Sequence, residues 1–261
     1  MHSATTEKEQ FDQDGFVIYR NVLDSDLIRE ADAHVDWLMK KHPELRPEDL
    51  NHTLVQHDPF WVRLVSDDRL LDIAEQYIGP NIALFASHYI CKPPHDGQAV
   101  LWHQDGSYWP LEPMEVVTLW LAVTDASPDN GCMRVIPGTQ NMDLQELRQR
   151  RDVPNVLNSG MDDALVNEGE AVDCVMSPGD VSVHHPNVVH GSNPNTSPRW
   201  RRGLTIRYIP TSTRIGVDGP ETHPSAFLLR GTAPEGVNQY NPKPRYREGE
   251  CMSFAGSESW R

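Results

Sequence analysis

From residue 82 onward the chain is written in short β-type runs, IALFASHYIC, AVLWHQD, EVVTLWLAVTDA, CMRVIPGT, AVDCVM, DVSVHH and GLTIRYIP, cut apart by proline, glycine, asparagine and aspartate. Short strands at this density predict a β-sandwich or barrel. The breakers SPDNG, IPGT and SPGD supply the turns, because glycine and asparagine accept positive φ and proline fixes its own.

The part before residue 82 reads differently. FDQDGFVIYRNVL predicts a short strand closed by a turn. DSDLIREADAHVDWLMKKH predicts a helix, with Asp24 or Ser25 as N-cap, Leu27, Ile28, Ala31, Val35 and Leu38 on one face, and Lys40 and Lys41 at its negative end. DDRLLDIAEQYIG predicts a second helix stopped by Gly79. Residues 141–170 interrupt the strand pattern; LRQRRD reads as a solvated helix face, and the polar stretch around it as either a lid or a covering segment. With 261 residues, one domain is expected: a helical part over about residues 1–80, a β core over about 82–210 and a Pro/Gly-rich covering segment over about 211–261.

Acidic residues number 38 against 23 basic ones, so polyanions meet net repulsion and nucleic acid is not an expected partner. No run of about 18 apolar residues is present, and the first residues are polar and acidic; a cytoplasmic chain that does not enter membranes is expected. The cysteines, Cys91, Cys132, Cys174 and Cys251, are too scattered for a zinc knot and read as free thiols.

The chemistry concentrates in LWHQDGSYWP, residues 101–110. Side chains two apart on a strand share a face, so His103 and Asp105 project together, while Gln104 and Trp102 face away; Tyr108 and Trp109, past the strand end, are placed to line a pocket mouth. A third ligand is needed, and SVHHPNVVHGSNPN offers His190, with His184 and His185 as competitors. If the GSNPN turn makes a hairpin, the strand opened by Arg199, Arg201 and Arg202 returns an arginine beside His190. Two histidines and a carboxylate on one face suit non-haem Fe(II), and also catalytic zinc, while a nearby arginine suits a dicarboxylate. His88 either lines the cavity or fills the sheet.

These pieces resemble, in order, the phytanoyl-CoA dioxygenase-like family of Fe(II)- and 2-oxoglutarate-dependent oxygenases: FDQDGFVIYRNVLD, WHQDGSYWP, VTLWLAVTDASPDNGCMRVIPGT, SPGDVSVHHPNVVHGSNPN and RGLTIRYIP, with FLLRG in the tail. The resemblance implies a mainly β fold with flanking helices, a double-stranded β-helix or cupin-like jelly roll. It implies His103, Asp105 and His190 as iron ligands and Arg201, eleven residues after the second histidine, as the holder of the distal carboxylate of 2-oxoglutarate, with Arg202 as the fallback. Ser192 resembles a position that assists the same carboxylate; Thr118 and Trp120 share a strand face and are weaker candidates for the cosubstrate pocket, and Tyr108 and Trp109 for substrate contact. The implied activity consumes O2 and 2-oxoglutarate, releases succinate and carbon dioxide, and oxidises, most simply hydroxylates, a C–H bond of a small molecule; oxidative cyclisation or desaturation is the variant outcome. Halogenation is not expected, since Asp105 fills the position halide takes in relatives that lack the carboxylate. Against this stand a cupin-like binding module without turnover and a zinc hydrolase.

Overall fold

The structure, a computed structural model, describes residues 6–216 and 226–261; residues 217–225 of the expected covering segment and the first five residues lie outside the described residues. The chain opens on helix α1 (Glu7–Asp14), which takes in FDQD where a strand was expected. The reason lies upstream: Thr6 and Glu9 form a reciprocal capping box that starts the helix, and Gly15, at φ 79°, ends it in the left-handed region and turns the chain into strand β1 (Phe16–Tyr19).

Helix α2 (Ser25–Lys41) is capped by the Asp24 carboxylate, which accepts from the amides of Asp26 and Leu27, and it buries the stripe Leu27, Ile28, Ala31, Val35 and Leu38. A one-turn helix α3 (His52–Val55) and a helix α4 (Pro59–Val65) follow, neither foreseen. Of α4 all but Arg63 is buried, so its sequence shows no amphipathic period by which to recognise it. Asp58 caps α4 through the amide of Trp61 and meets the ring of buried His34 at 3.0 Å, joining α4 to α2; the other ring nitrogen of His34 meets the Tyr89 hydroxyl at 3.1 Å. Helix α5 (Asp68–Ile78) ends at Gly79 as expected.

Two sheets face each other. Strands β2 (Ile82–Lys92), β3 (Val100–His103), β4 (Val117–Ala122), β5 (Met133–Val135), β6 (Val172–Asp173), β7 (Val181–His184), β8 (His190–Ser192), β9 (Arg201–Pro210) and β10 (Phe227–Arg230) join β1 in a six-stranded sheet ordered β1-β7-β4-β9-β2-β10 and a four-stranded sheet ordered β3-β8-β5-β6. All the pairings are antiparallel. This is the cupin-type jelly roll with helices outside. On the large sheet Val117, Leu119, Leu121, Val181, Val183, Leu204, Ile206 and Tyr208 belong to the core that packs under the helices. The alternate residues, Thr118, Trp120, Ser182, His184, Arg201, Thr205 and Arg207, therefore point between the sheets. That second set is polar in a buried place, which marks where the molecule keeps its chemistry.

Residues 141–170 hold no α-helix; short 3₁₀ turns stand at Asp163–Leu165 and Glu168–Glu170. Arg148–Gln149 pairs with Ser159–Gly160, and Arg150 binds Asp152 and Asp163; LRQRRD lacks an apolar stripe to dock, so its charges are met by local carboxylates. Cys91, Cys132 and Cys174 are buried free thiols, and Cys251 is half-buried. Among the described residues no helix is long and apolar enough to cross a membrane.

Candidate active site

His103 is the last residue of β3, and antiparallel pairing sets it directly opposite His190, the first residue of β8. The two imidazoles consequently stand with ring centroids 4.1 Å apart. Each turns its Nδ1 to a backbone carbonyl, His103 to Leu101 at 2.8 Å and His190 to Val188 at 3.1 Å. With Nδ1–H donating, Nε2 keeps its lone pair and faces the cavity. Burial, together with the neighbouring rings of His103 and His184, pushes His190 well below the usual histidine range, so its imidazole is neutral.

Strand β3 stops at His103, and Asp105 opens a 3₁₀ turn (Asp105–Tyr108) instead of continuing the strand. The turn is pinned by the Gly106 amide to the Pro186 carbonyl, 2.9 Å, and by Gln104, which faces away to bond Asn187 and Gln145. Asp105 divides its oxygens. Oδ2 accepts from the Thr118 hydroxyl at 3.2 Å and lies 3.4 Å from His184 Nε2. Oδ1 lies 3.5 Å from His103 Nε2 and 4.0 Å from His190 Nε2. Burial works against the charge, but the Arg207 guanidinium and the adjacent imidazoles of His103 and His184 outweigh it and hold the carboxyl well below its usual range. Ligand atoms of His103, Asp105 and His190 all lie within 4.8 Å of one another in a buried site. Two imidazole nitrogens and one carboxylate oxygen on one side fit a divalent transition metal, with room for further ligands opposite.

The expected hairpin after His190 is not formed. The chain leaves the small sheet after β8 and crosses to the large one, where β9 pairs with β2 and β4. Arg201 nonetheless reaches the same cavity, from the facing sheet. It is 2% exposed, donates from Nε to Gly131 O (3.1 Å) and from Nη1 to Ile90 O (2.8 Å), and lies over the Trp120 ring, which leaves Nη2 for a ligand. Arg202, one residue on, points to the opposite face and pairs with Asp32 and Asp36 of α2. Trp120 fits beside Gly203, where any Cβ would collide with its indole.

Ser192 lines the cavity, and its hydroxyl accepts from Nζ of the fully buried Lys92 at 2.7 Å; Lys92 also donates to the Asn193 carbonyl. Thr118 is not on the cavity wall, as a cosubstrate contact would require, but behind Asp105. Tyr108 and Trp109 both line the cavity, Tyr108 bonded to Ser159 at 2.6 Å and Trp109 edge-on to Phe85. Trp102 faces away, bonded to Glu168. His88 lines the cavity, bonded to the Glu48 carbonyl and pushed down to about 3, chiefly by burial. His185 accepts from the Asn187 amide and packs on Phe11, outside the cluster. Segment 141–170 lies across β3 and contributes Leu157 to the cavity.

Reasoning from sequence missed three residues. His184, a competitor for the third ligand position, instead backs Asp105, and Lys92 and Arg207 carry no sequence motif of their own. The signal for Arg207 was available: in RRGLTIRY the period of two carries the Arg201 face to residues 203, 205 and 207.

Comparison with known proteins places these observations in a family. The phytanoyl-CoA dioxygenase (PhyH) family profile matches residues 11–203. A probable alpha-ketoglutarate-dependent hypophosphite dioxygenase of Stutzerimonas stutzeri is 33% identical over 149 residues, 56% of this chain and 51% of the relative. The peroxisomal phytanoyl-CoA dioxygenase of Bos taurus is 31% identical over 171 residues, 63% and 50% of the two chains. The chain thus spans about half the length of these two relatives. Among solved structures, the non-heme monooxygenase ThoJ in its apo form superposes with a TM-score of 0.76 at 25% identity, covering 90% of this chain and 87% of that one. The matched span holds His103, Asp105, His190 and Arg201, and the chain belongs to the phytanoyl-CoA dioxygenase family.

Proposed function

We propose that this protein is an Fe(II)- and 2-oxoglutarate-dependent oxygenase that oxidises a C–H bond of a compact small molecule, most simply by hydroxylation, with release of succinate and carbon dioxide. The observation that carries the reading is the pairing of the His103, Asp105 and His190 cluster with a buried guanidinium, Arg201, in one cavity. A zinc hydrolase or a binding module has no use for an arginine so placed. Its fold-mates and the family name support the same chemistry.

In this reading His103, Asp105 and His190 would hold the iron. When bound, iron and 2-oxoglutarate together supply a two-electron oxidant from O2. Arg201 would orient the cosubstrate through the distal carboxylate, with Ser192 beside it, held in place by Lys92. Trp120 would wall this end and exclude water, while Thr118 and His184 keep Asp105 from rotating its free oxygen away. Tyr108 and Trp109 would frame the substrate at the other end of a cavity of about 210 Å³, a size suited to a compact molecule. Residues 141–170 would cover the entrance and close further on substrate, a change that limited proteolysis with and without ligands would register.

The test is an anaerobic titration with Fe(II) and 2-oxoglutarate, following the visible charge-transfer band, and then succinate release under air. A band in the wild type that weakens in Arg201→Ala and changes in Asp105→Ala supports the reading. Absence of the band with no iron bound overturns it.

A further inference from the structure

We propose that Arg207 forms a second anion site in the cavity, and that the substrate carries a carboxylate or phosphonate group that pairs with it during oxidation. The proposal rests on the oxygenase reading above and narrows its substrate class to small organic anions.

Arg207 lies in β9 on the same face as Arg201, six residues further on, so the two α-carbons are about 20 Å apart along the strand. Its side chain is 13% exposed and lines the cavity beside Trp109, whose ring lies 5.4 Å from the guanidinium carbon. Its buried Nε has no hydrogen-bond partner among the described residues. The nearest acid is Asp105, with Nη2 3.9 Å from Oδ1, an ion pair too long to be a hydrogen bond. A guanidinium this enclosed normally has its N–H groups satisfied, because leaving them unpaired costs stability.

Neutralising Asp105 does not explain it. Once Oδ1 faces a metal dication, the carboxylate already has its counter-charge, and Arg207 is left without one. Among the described residues lining the cavity, Asp105 is the sole acid, facing Arg201 and Arg207. A metal dication and a 2-oxoglutarate dianion cancel each other, which leaves the loaded cavity with one positive charge over. A monoanionic group on the substrate balances it. The Trp109 ring, 5.4 Å from the guanidinium carbon, supports the cation, and the guanidinium's fork of donors matches a carboxylate or phosphonate oxygen pair. The position beside Asp105 puts the bound anion near the metal, so the oxidised carbon would lie close to the anionic group.

The experiment uses the full chain loaded with Mn(II), as an inert stand-in for iron, and 2-oxoglutarate. Calorimetry then compares acid and neutral partners of matched shape: benzoate with benzamide, hexanoate with hexanamide, and phenylphosphonate with its diamide. The expected result is that at least one acid binds about tenfold or more tighter than its amide, that Arg207→Gln removes the preference, and that Arg207→Lys keeps part of it while 2-oxoglutarate affinity stays within about twofold. Arg207→Lys retains the charge and serves as the readout should Arg207→Gln fold poorly. Equal binding of acids and amides across the panel, or an acid preference that persists without Arg207, overturns the proposal. So does a loss of 2-oxoglutarate affinity in Arg207→Gln as large as in Arg201→Gln, which would assign the guanidinium to the cosubstrate. Failure of the oxygenase reading looks different: 2-oxoglutarate then does not bind the wild-type protein at all, and both proposals fall.

Discussion

The hydroxyl of Thr118 donates to Oδ2 of Asp105 over 3.2 Å, and this one bond decides which carboxylate oxygen is left facing the two histidines. Thr118 stands in β4 directly opposite His184 in β7, so adjacent strands deliver both partners of Oδ2. Replacing Thr118 by valine keeps the shape and removes the donor. Metal affinity should fall about tenfold, with Thr118→Ser restoring most of it; an anaerobic metal titration measures both.

Arg201 and Arg202 should separate cleanly. Arg201→Gln is expected to raise the dissociation constant for 2-oxoglutarate about 100-fold, the cost of leaving a buried carboxylate without its partner. Arg202→Gln should leave that constant within about twofold and lower stability by about 1 kcal/mol, since its partners Asp32 and Asp36 are 44% and 61% exposed. Equilibrium binding and urea unfolding on both variants check the contrast.

Gly203 is needed for closeness rather than for backbone freedom. An added methyl would meet the Trp120 indole, so Gly203→Ala should destabilise the chain by about 1–3 kcal/mol or displace the ring from beside Arg201. Trp120→Phe in the same chain should recover part of the loss. Thermal melts and near-UV circular dichroism report the two effects.

Asp58 ties stability to pH. Burial raises its carboxyl pKa, but His34 and the bond from the Trp61 amide outweigh this, and the net value is lowered. A lowered folded pKa contributes stability that is fully present above the unfolded value of about 4 and is lost as pH falls through the folded one. Asp58→Asn should therefore be less stable than wild type by about 2–4 kcal/mol near neutrality, with the gap closing in acid. Unfolding curves at pH 7 and near pH 3 test the convergence.

Much of the architecture was legible because it is encoded by near neighbours. Asp24 starts α2 and Gly79 stops α5 through bonds and angles spanning a few residues. The His-x-Asp pair survived even though its premise did not: Asp105 left the strand for a 3₁₀ turn, yet still faces His103. Helix α1 was missed for a cap lying outside the quoted motif, and α4 because a helix buried nearly all round carries no periodic signal.

What the sequence by itself determined was therefore the sandwich of short strands, the helices with clear caps and stripes, and the residue types of the cluster, all of which depend on local periodicity and turn chemistry. Only the tertiary structure decided the partnerships. The register of β3 against β8 set His103 beside His190, and the crossing from β8 to β9, where a hairpin had been expected, brought Arg201 in from the opposite sheet. It also placed Thr118 behind Asp105, Lys92 behind Ser192, and Arg207 in the cavity 3.9 Å from Asp105. The reason is physical: which strands pair, and which buried charges find partners, is settled by packing two sheets against each other across contacts 70 to 111 residues apart in the chain, distances over which no sequence period extends.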